Sequence, residues 1–437
     1  MMSQTMIDNP DAAHGRKSAP FRMRTVEPGP DPADSFGLFT SAAVYDPYPF
    51  YARLRERDPV HWSERAGAWL VTRYREVFDL QANSELSVDR VETLYSYLPQ
   101  VRRERFSFVI EHYTRWLLYR DDAYHDRLKL LFMKAMTPRA VELMKPRIAA
   151  RVAEVLDTLA GREHFDAYLE FAARIPVLVM LDLLGLPSAD EQRLRHWSDR
   201  CSNFLFQPVN PDREAMAEEQ RRILDEQQDY FMAHITARRA RPGADMISAM
   251  VHAEVSGERL TDLEILATCN MMATAGGGTS RSAISLALMN LQRFPDQLAR
   301  LVAEPERINL AAEEFLRFDA PTQRGIRTAR ADFTLGGKTI RRGDILHIMI
   351  GAANHDPAAF ADPERLDIAR NPNRHATLGH GVHYCLGASL ARMELRLAVA
   401  EFLRRYPDYA IDAPDVEFMD RTASRRLTGL PVVVRQA

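Results

Sequence analysis

Between Thr261 and Pro295 the chain carries apolar residues at helical spacing with no proline, a run of about 33 residues. At 1.5 Å per residue this gives roughly 50 Å of helix, so any fold must be built around an element that crosses the whole domain. Thr261 and Glu264 open it with a T-x-x-E capping box. In its middle stands ATAGGGTSRS, where Gly276, Gly277 and Gly278 are consecutive. Each glycine costs about 0.8–1 kcal/mol relative to Ala inside a helix, so about 2–3 kcal/mol must be offset. A kink or a close helix crossing is one reason to keep glycine there. Three in succession, followed by the hydroxyls of Thr279 and Ser280, favour the other, close approach of a flat ligand to backbone.

The remaining pattern predicts a mainly helical chain with small sheets. Residues 1–40, ending in EPGPDPADSFG, read as a flexible amino-terminal arm, and 41–437 as the folded part. YPFYARLRER reads as a short helix, VHWS and AWLVT as strands, and HDRLKLLFMKAM, PRIAARVAEVLDTLAG and EEQRRILDEQQDYFMAHITARRA as amphipathic helices. FTLGGKTIRRGDILHIM reads as a small β-meander, and LTGLPVVVR as a last strand. By length, 437 residues suggest about three domains, although one large fold is equally allowed.

Lys and Arg number 57 against 60 Asp and Glu, and a net charge of -3 argues against a nucleic-acid binder. No stretch approaches the ~18 apolar residues of a membrane span, and the amino terminus lacks a signal peptide's apolar core. A cytoplasmic location without membrane attachment is therefore expected. Cys201, Cys269 and Cys385 are far apart and odd in number, which argues against a disulfide framework.

Cys385 lies in NRHATLGHGVHYCLGASLARMELRLA, residues 373–398, and from Leu386 onward Leu390, Met393, Leu397 and Ala398 recur at helical spacing. The thiol thus sits just before a helix amino terminus, where the macrodipole favours a thiolate. Three readings remain open on these residues. Cys385 is a small buried hydrophobe, or part of a zinc site with His380 and His383 that lacks a fourth ligand, or an axial ligand to haem iron, with Gly379, Gly381 and Gly387 letting the loop lie flat against the macrocycle.

LGHGVHYCLG resembles the haem-binding loop of the cytochrome P450 superfamily, aromatic-Gly-x-Gly-x-His/Arg-x-Cys-x-Gly, and departs from it at Leu378, where the family usually has an aromatic residue. The resemblance spans roughly Tyr45 to the end and implies one domain, the family's helical prism around haem b, with Cys385 on the iron and Leu378, Gly379 and Gly387 against the macrocycle. Glu314 and Arg317 match the family's E-x-x-R pair, and FADPERLDIAR resembles the segment that supplies a second arginine, Arg365. Four residues match cations for the haem propionates: Arg327, His383, His125 and, where the family has arginine, Lys129. Arg127 is an alternative to Lys129. ATAGGGTS aligns with Ala/Gly-Gly-x-Asp/Glu-Thr-Thr, which places Gly278 at the acid and Thr279 at the alcohol that organise water for O–O cleavage. No Asp or Glu between Ile265 and Phe294 replaces the acid, so protons are expected through Thr279, Ser280 and ordered water.

The implied activity is insertion of one oxygen atom from O2 into a hydrophobic small molecule of the terpenoid, steroid, fatty-acid or aromatic class. Electrons are expected from a separate ferredoxin and ferredoxin reductase, and the chain is expected to be a monomer. Arg115, Arg120, Arg127, Lys129 and Lys134 read either as one basic docking helix or as a solvated one. The resemblance places Ala275, Gly276, Thr322, Gln323 and Arg324 at the substrate pocket, the last three admitting a carboxylate. Tyr95, Tyr97, Phe106, Phe108, Phe204 and Phe206 are candidates for its apolar roof or for core. Gly278 keeps a peroxide-using or non-oxygenating haem-thiolate enzyme as an alternative, and a non-catalytic haem-binding protein is the alternative of another class.

Overall fold

The computed structural model describes residues 33–89, 104, 106–206, 213–419 and 423–435. Most of the expected arm, and Tyr95 and Tyr97, lie outside them. Where the arm is described it is packed rather than loose: Asp34 accepts from the backbone N–H of Leu38 and Phe39, and Leu38 is buried.

Sixteen α-helices occur among the described residues. The first seven are α1 (Ser41–Tyr45), α2 (Tyr48–Arg57), α3 (Tyr74–Gln81), α4 (Ser107–Thr114), α5 (Ala123–Ala135), α6 (Pro138–Leu143) and α7 (Lys145–Asp157). Then come α8 (Ile175–Leu184), α9 (Glu191–Phe206), α10 (Arg213–Ala240), α11 (Met246–His252) and α12 (Asp262–Arg293). The last are α13 (Pro295–Ala303), α14 (Ile308–Phe318), α15 (Ile350–Asn354) and α16 (Ala388–Arg405). A sheet of β1 (Val60–Ser63), β2 (Ala68–Val71), β10 (Ile345–Ile348), β7 (Gly325–Ala329) and β3 (Leu86–Ser87), in that order, forms the second layer.

The expected meander is split. Gly336 and Gly337, both at positive φ, close a hairpin of β8 (Phe333–Leu335) and β9 (Lys338–Ile340). β10 leaves that hairpin to pair with β2 in parallel and β7 antiparallel. It does so because Leu346 and Ile348 bury their side chains with Val60, Val71 and Ile340, a gain the two-stranded hairpin alone does not offer. The last strand, Pro431–Val433, pairs with His164–Asp166 and Ala410–Ile411 as expected.

Helix α12 runs 32 residues behind the Thr261–Glu264 capping box, uninterrupted by its glycines. A Cβ on Gly277 would stand 3.2 Å from Ser198 Oγ, one on Gly278 3.7 Å from Ser202 Oγ, and one on Gly276 2.7 Å from Met180 Cε. Gly276 and Gly277 therefore serve the close crossing of α12 with α8 and α9, while a Cβ at 278 would make only ordinary contact, which corrects the preference for a flat ligand against the run as a whole. The residues left open are their neighbours. From Glu264 to Leu291 every residue is buried except Ala275 and Thr279, which are exposed, and Gly276 and Gly278, which are half-buried. Two exposed residues one turn apart inside a buried helix mark an internal cavity against its middle.

The two ends of the chain meet at Asp319. Its carboxylate accepts from Arg425 Nε at 2.9 Å, Tyr48 OH at 2.7 Å and Asn290 Nδ2 at 3.2 Å, joining α2, α12 and the carboxy-terminal segment. Arg425 also donates to the carbonyls of Val44 and Tyr45. Burial alone would raise Asp319, but Arg425, Tyr48 and Asn290 hold its carboxyl low. Removing one partner of a buried pair leaves an uncompensated charge, so Arg425→Met should cost about 3–5 kcal/mol. Urea unfolding checks this, and adding Asp319→Asn should recover part of the loss.

Candidate active site

The site is built from the α14 helix outward. Glu314 and Arg317, three residues apart, share a face and are both fully buried, with Arg317 Nε and Nη2 each donating to the Glu314 carboxylate at 2.8 Å. Arg317 also donates to the carbonyls of Asn354, Pro363 and Arg365. The second arginine on Glu314 is Arg370, with its Nε 3.1 Å and 3.2 Å from the two carboxylate oxygens, and Asn373 Nδ2 and the Asp367 N–H add further bonds. The expectation for Arg365 is thereby corrected. Its side chain is 64% exposed and pairs with Asp296. The turn over 362–370 directs Arg365 to solvent and leaves only its carbonyl facing Arg317.

Glu313, next in sequence, clamps the cysteine loop from both sides. His375 Nε2 lies 3.2 Å from it before the loop, and after the loop Arg392 makes a two-pronged contact at 2.7 Å and 2.8 Å. Arg392 also donates to Tyr384 OH, beside Cys385. Within the loop, Gly379 and Gly381 take positive φ, 76° and 72°, a conformation that L side chains strain to adopt. Cys385 N–H closes the turn on Leu378 O at 2.8 Å, and α16 starts three residues later.

Cys385 is the one exposed cysteine, while Cys201 and Cys269 are buried. Although the residue is exposed at the loop surface, the protein packed around it desolvates the thiol and pushes it up despite the Gly387 N–H, against the expectation from the helix terminus. One helix end does not offset desolvation of a thiolate in this loop, so a metal cation is what makes the thiolate the favoured form. No Cβ neighbour lies within 4 Å of Gly387, leaving open space beside the thiol. No three of His, Cys, Asp and Glu come together to hold a metal ion among the described residues, which overturns the zinc alternative.

The cation candidates converge on the same loop. His125 is buried with its ring 4.8 Å from that of His383, and Lys129 Nζ donates to Val382 O at 2.5 Å. His383 Nε2 is 3.0 Å from Asp121, which also accepts from Ser87 and Val88 and pairs with Arg330. Burial pushes His125 down, helped by His383 and Lys129, and the Asp126 carboxylate 3.0 Å from its Nδ1 offsets this only in part. Arg327 lies half-buried in β7 opposite Leu346. Arg127 does not substitute for Lys129, because it pairs with Glu264 and Glu258 at the start of α12. An exposed thiol, open space beside Gly387, imidazoles and cations at the loop, and the opening at Ala275 and Thr279 form a donor set that fits a haem.

Several pocket expectations change. Gln323 is buried, donates to Ala320 O and packs so closely on Gly351 that a Cβ there would collide with it, so it is a packing residue. Arg324 Nη1 is 3.2 Å from His347 Nδ1, and the guanidinium lies over Phe39. Thr322 is half-buried in a bridge to Ser424. Phe106 and Phe204 are core, and Phe108 packs half-buried against it. Of the basic residues 115–134 only Arg127, Lys129 and Lys134 lie on α5, while Arg115 and Arg120 precede it, with Arg120 paired to Asp122 and Lys134 donating to Glu254 O.

A family profile described as Cytochrome P450 matches residues 125–421. Polyketide biosynthesis cytochrome P450 PksS of Bacillus subtilis (strain 168) is 32% identical over 397 residues, covering 89% of this chain and 96% of the relative. Cytochrome P450 CYP107DY1 of Priestia megaterium (strain ATCC 12872 / QMB1551) is 35% identical over 311 residues, covering 71% and 74%. The crystal structure of P450BioI in complex with hexadec-9Z-enoic acid ligated acyl carrier protein matches with a TM-score of 0.82 at 30% identity, over 90% of this chain and 99% of that one. CYP109E1 from Bacillus megaterium in complex with testosterone matches with a TM-score of 0.78 at 29% identity, over 90% and 100%. A mainly helical haem-thiolate oxidoreductase is thus the class defined. The chain belongs to the cytochrome P450 family, whose members are monooxygenases carrying protoporphyrin IX on a cysteine. No helix among the described residues is long and apolar enough to cross a membrane.

Burial, which would raise Glu313, is outweighed by its bonds from His375 and Arg392, and its carboxyl falls to about 2. A folded value below the unfolded one gives stability that is present above about pH 4.5 and lost as pH falls toward 2. From a shift of that size, Glu313→Gln should cost about 2–3 kcal/mol at pH 7 and progressively less below pH 4. Urea unfolding of both proteins at pH 7 and pH 3 measures the convergence.

Proposed function

We propose that Cys385 is the axial ligand of haem b and that the enzyme inserts one oxygen atom from O2 into a hydrophobic small molecule. Electrons come from a separate ferredoxin and its reductase. The observation that carries the reading is an exposed thiol on a loop pinned from both sides by Glu313, in a fold whose central helix is exposed between Glu264 and Leu291 only at Ala275 and Thr279.

Bound haem supplies the iron at which O2 is reduced and cleaved, with electron donation from the thiolate favouring the cleavage. His125, Lys129, Arg327 and His383 would hold the propionates, Lys129 as a point charge rather than a planar fork. Leu378, Gly379 and Gly387 would line the space for the macrocycle. Ala275 faces the substrate, whereas Gly276 is turned toward Met180 of α8. Thr279 Oγ1 donates to Ala275 O at 2.8 Å, which leaves its lone pairs free to accept from water in the cavity. Likeness to proteins solved with testosterone and with a hexadecenoyl chain supports a guest of steroid or fatty-acid size. Arg324, beside His347, is the residue for a carboxylate on that guest.

The reduced carbon-monoxide difference spectrum should show the thiolate signature in the wild type and lose it in Cys385→Ala, and a signature that persists would sink the assignment. Thr279→Ala should raise peroxide release per electron consumed while leaving that spectrum intact. Gly278 favours one second reading, a peroxide-driven enzyme, which turnover with peroxide exceeding turnover with NAD(P)H, reductase and ferredoxin would select. A ligand screen by the low-to-high-spin shift identifies the guest, and Arg324→Ala should weaken acidic ligands about tenfold and neutral ones little.

A further inference from the structure

We propose that an uncharged polar cluster where α4, α9, α10 and α12 meet receives a hydroxyl of the substrate far from the reacting carbon, so that the guest is a hydrophobic alcohol. The proposal rests on the reading of the opening at Ala275 and Thr279 as the oxygen-binding face.

Asn270 of α12 is the centre of the cluster and is fully buried. Its Nδ2 donates to His112 Nε2 of α4 at 2.9 Å and to Gln227 Oε1 of α10, and its Oδ1 accepts from Thr274 Oγ1 at 3.4 Å. On α9 the Cys201 thiol lies 3.9 Å from Asn270 Oδ1 and accepts from Gln220 Nε2 at 3.3 Å. Trp116 Nε1 donates to the same His112 nitrogen at 3.3 Å, so that nitrogen is an acceptor and the ring is neutral, in keeping with burial pushing His112 down to about 3. All six side chains are buried, and none carries charge at neutral pH.

Two atoms of the cluster are left over. Gln220 Oε1, an acceptor, and Gln227 Nε2, a donor, have no partner among the described residues, and both amides adjoin the Cys201 sulfur. Buried polar atoms are nearly always paired, so such a couple marks the place of a missing group. A carboxylate offers only acceptors and an ammonium only donors, whereas a hydroxyl donates to one orphan and accepts from the other. A charged group would in addition be desolvated with no counter-charge in the cluster.

Helix geometry sets the distance. At 1.5 Å per residue, Asn270 lies about 7.5 Å along α12 from Ala275 and about 13.5 Å from Thr279. Thr274 directly precedes Ala275, which carries the cluster to the rim of the opening. The hydroxyl therefore stands roughly 10 Å from the reacting carbon, the span of a fused-ring skeleton or a medium-length chain.

Matched probes on the holoenzyme test this by calorimetry and by the spin shift: dodecanol with dodecane and dodecanoic acid, and testosterone with its 17-deoxy analogue. In the wild type each alcohol should bind at least about tenfold tighter than its deoxy partner. Gln220→Met and Gln227→Met keep the side-chain length and remove the acceptor and the donor. Each should bring that ratio to within about twofold and leave the affinities of the deoxy partners and of dodecanoic acid unchanged. A packing defect in α10 weakens both members of a pair alike, so the ratio isolates the hydrogen bonds, and the wild-type ratio stands even where a variant fails to fold. Equal binding of alcohol and deoxy partner in both sets, a ratio that survives both substitutions, or an acid that weakens with the two glutamines overturns the proposal. Thr279→Ala with unchanged coupling would instead remove the reading of the oxygen-binding face, and the alcohol ratio does not depend on that result.

Discussion

One carboxylate organises the approach to the active site. Glu314 receives Arg317, Arg370, Asn373 and a backbone N–H, so no donor facing it lacks an acceptor and the cost of burying its charge is met by four partners rather than one. Arg317 spreads the effect by gathering three carbonyls, one at the end of α15 and two from the irregular segment that follows it. Asn354, at the end of α15, bonds Thr377, and Thr377 returns to Leu316 on α14. The long irregular stretch before the cysteine is therefore held by side chains from a helix, and the loop begins from a fixed point.

Glu313 extends the same device to the far side. Because it binds His375 before the loop and Arg392 after it, the sixteen residues between 375 and 392 are closed at both ends on one helix face. Rigidity of this kind matters for an axial ligand, since a thiol that wanders by an ångström no longer presents its lone pair along the iron axis. Leu378 in the place of the family's aromatic residue is tolerable in such a loop, because the position of the cysteine does not depend on that one contact.

The long helix and the cysteine loop were legible in sequence because both rest on local rules, a capping box, an unbroken period and glycines at positive φ. The role of the glycine run was not. Glycine in a helix signals that something comes close but not what, and here the near objects are Ser198, Ser202 and Met180 on α8 and α9. Arg365 and Arg370 could not be told apart either, since which of two arginines five residues apart turns inward depends on the path of an irregular turn. Asp121, Glu313 and Glu394 left no pattern in the chain at all. For the first two the partners lie 32 to 262 residues away, and the burial of Glu394 without a counter-charge is revealed only by packing.

Successive residues of a helix point about 100° apart, so Gly278, Thr279 and Ser280 look in three directions. Gly278 faces α9, Thr279 faces the cavity and Ser280 faces α16. An acid at 278 would have to share its direction with the helix crossing that α9 makes over α12, where Ser202 already stands at contact distance from any added Cβ. With glycine there, α9 packs directly on the α12 backbone. On the other flank α12 packs against α16, the helix that follows the proposed iron ligand. The same helix thus begins at the cysteine loop and braces the middle of α12, which ties the geometry of the loop to that of the long helix through one rigid element.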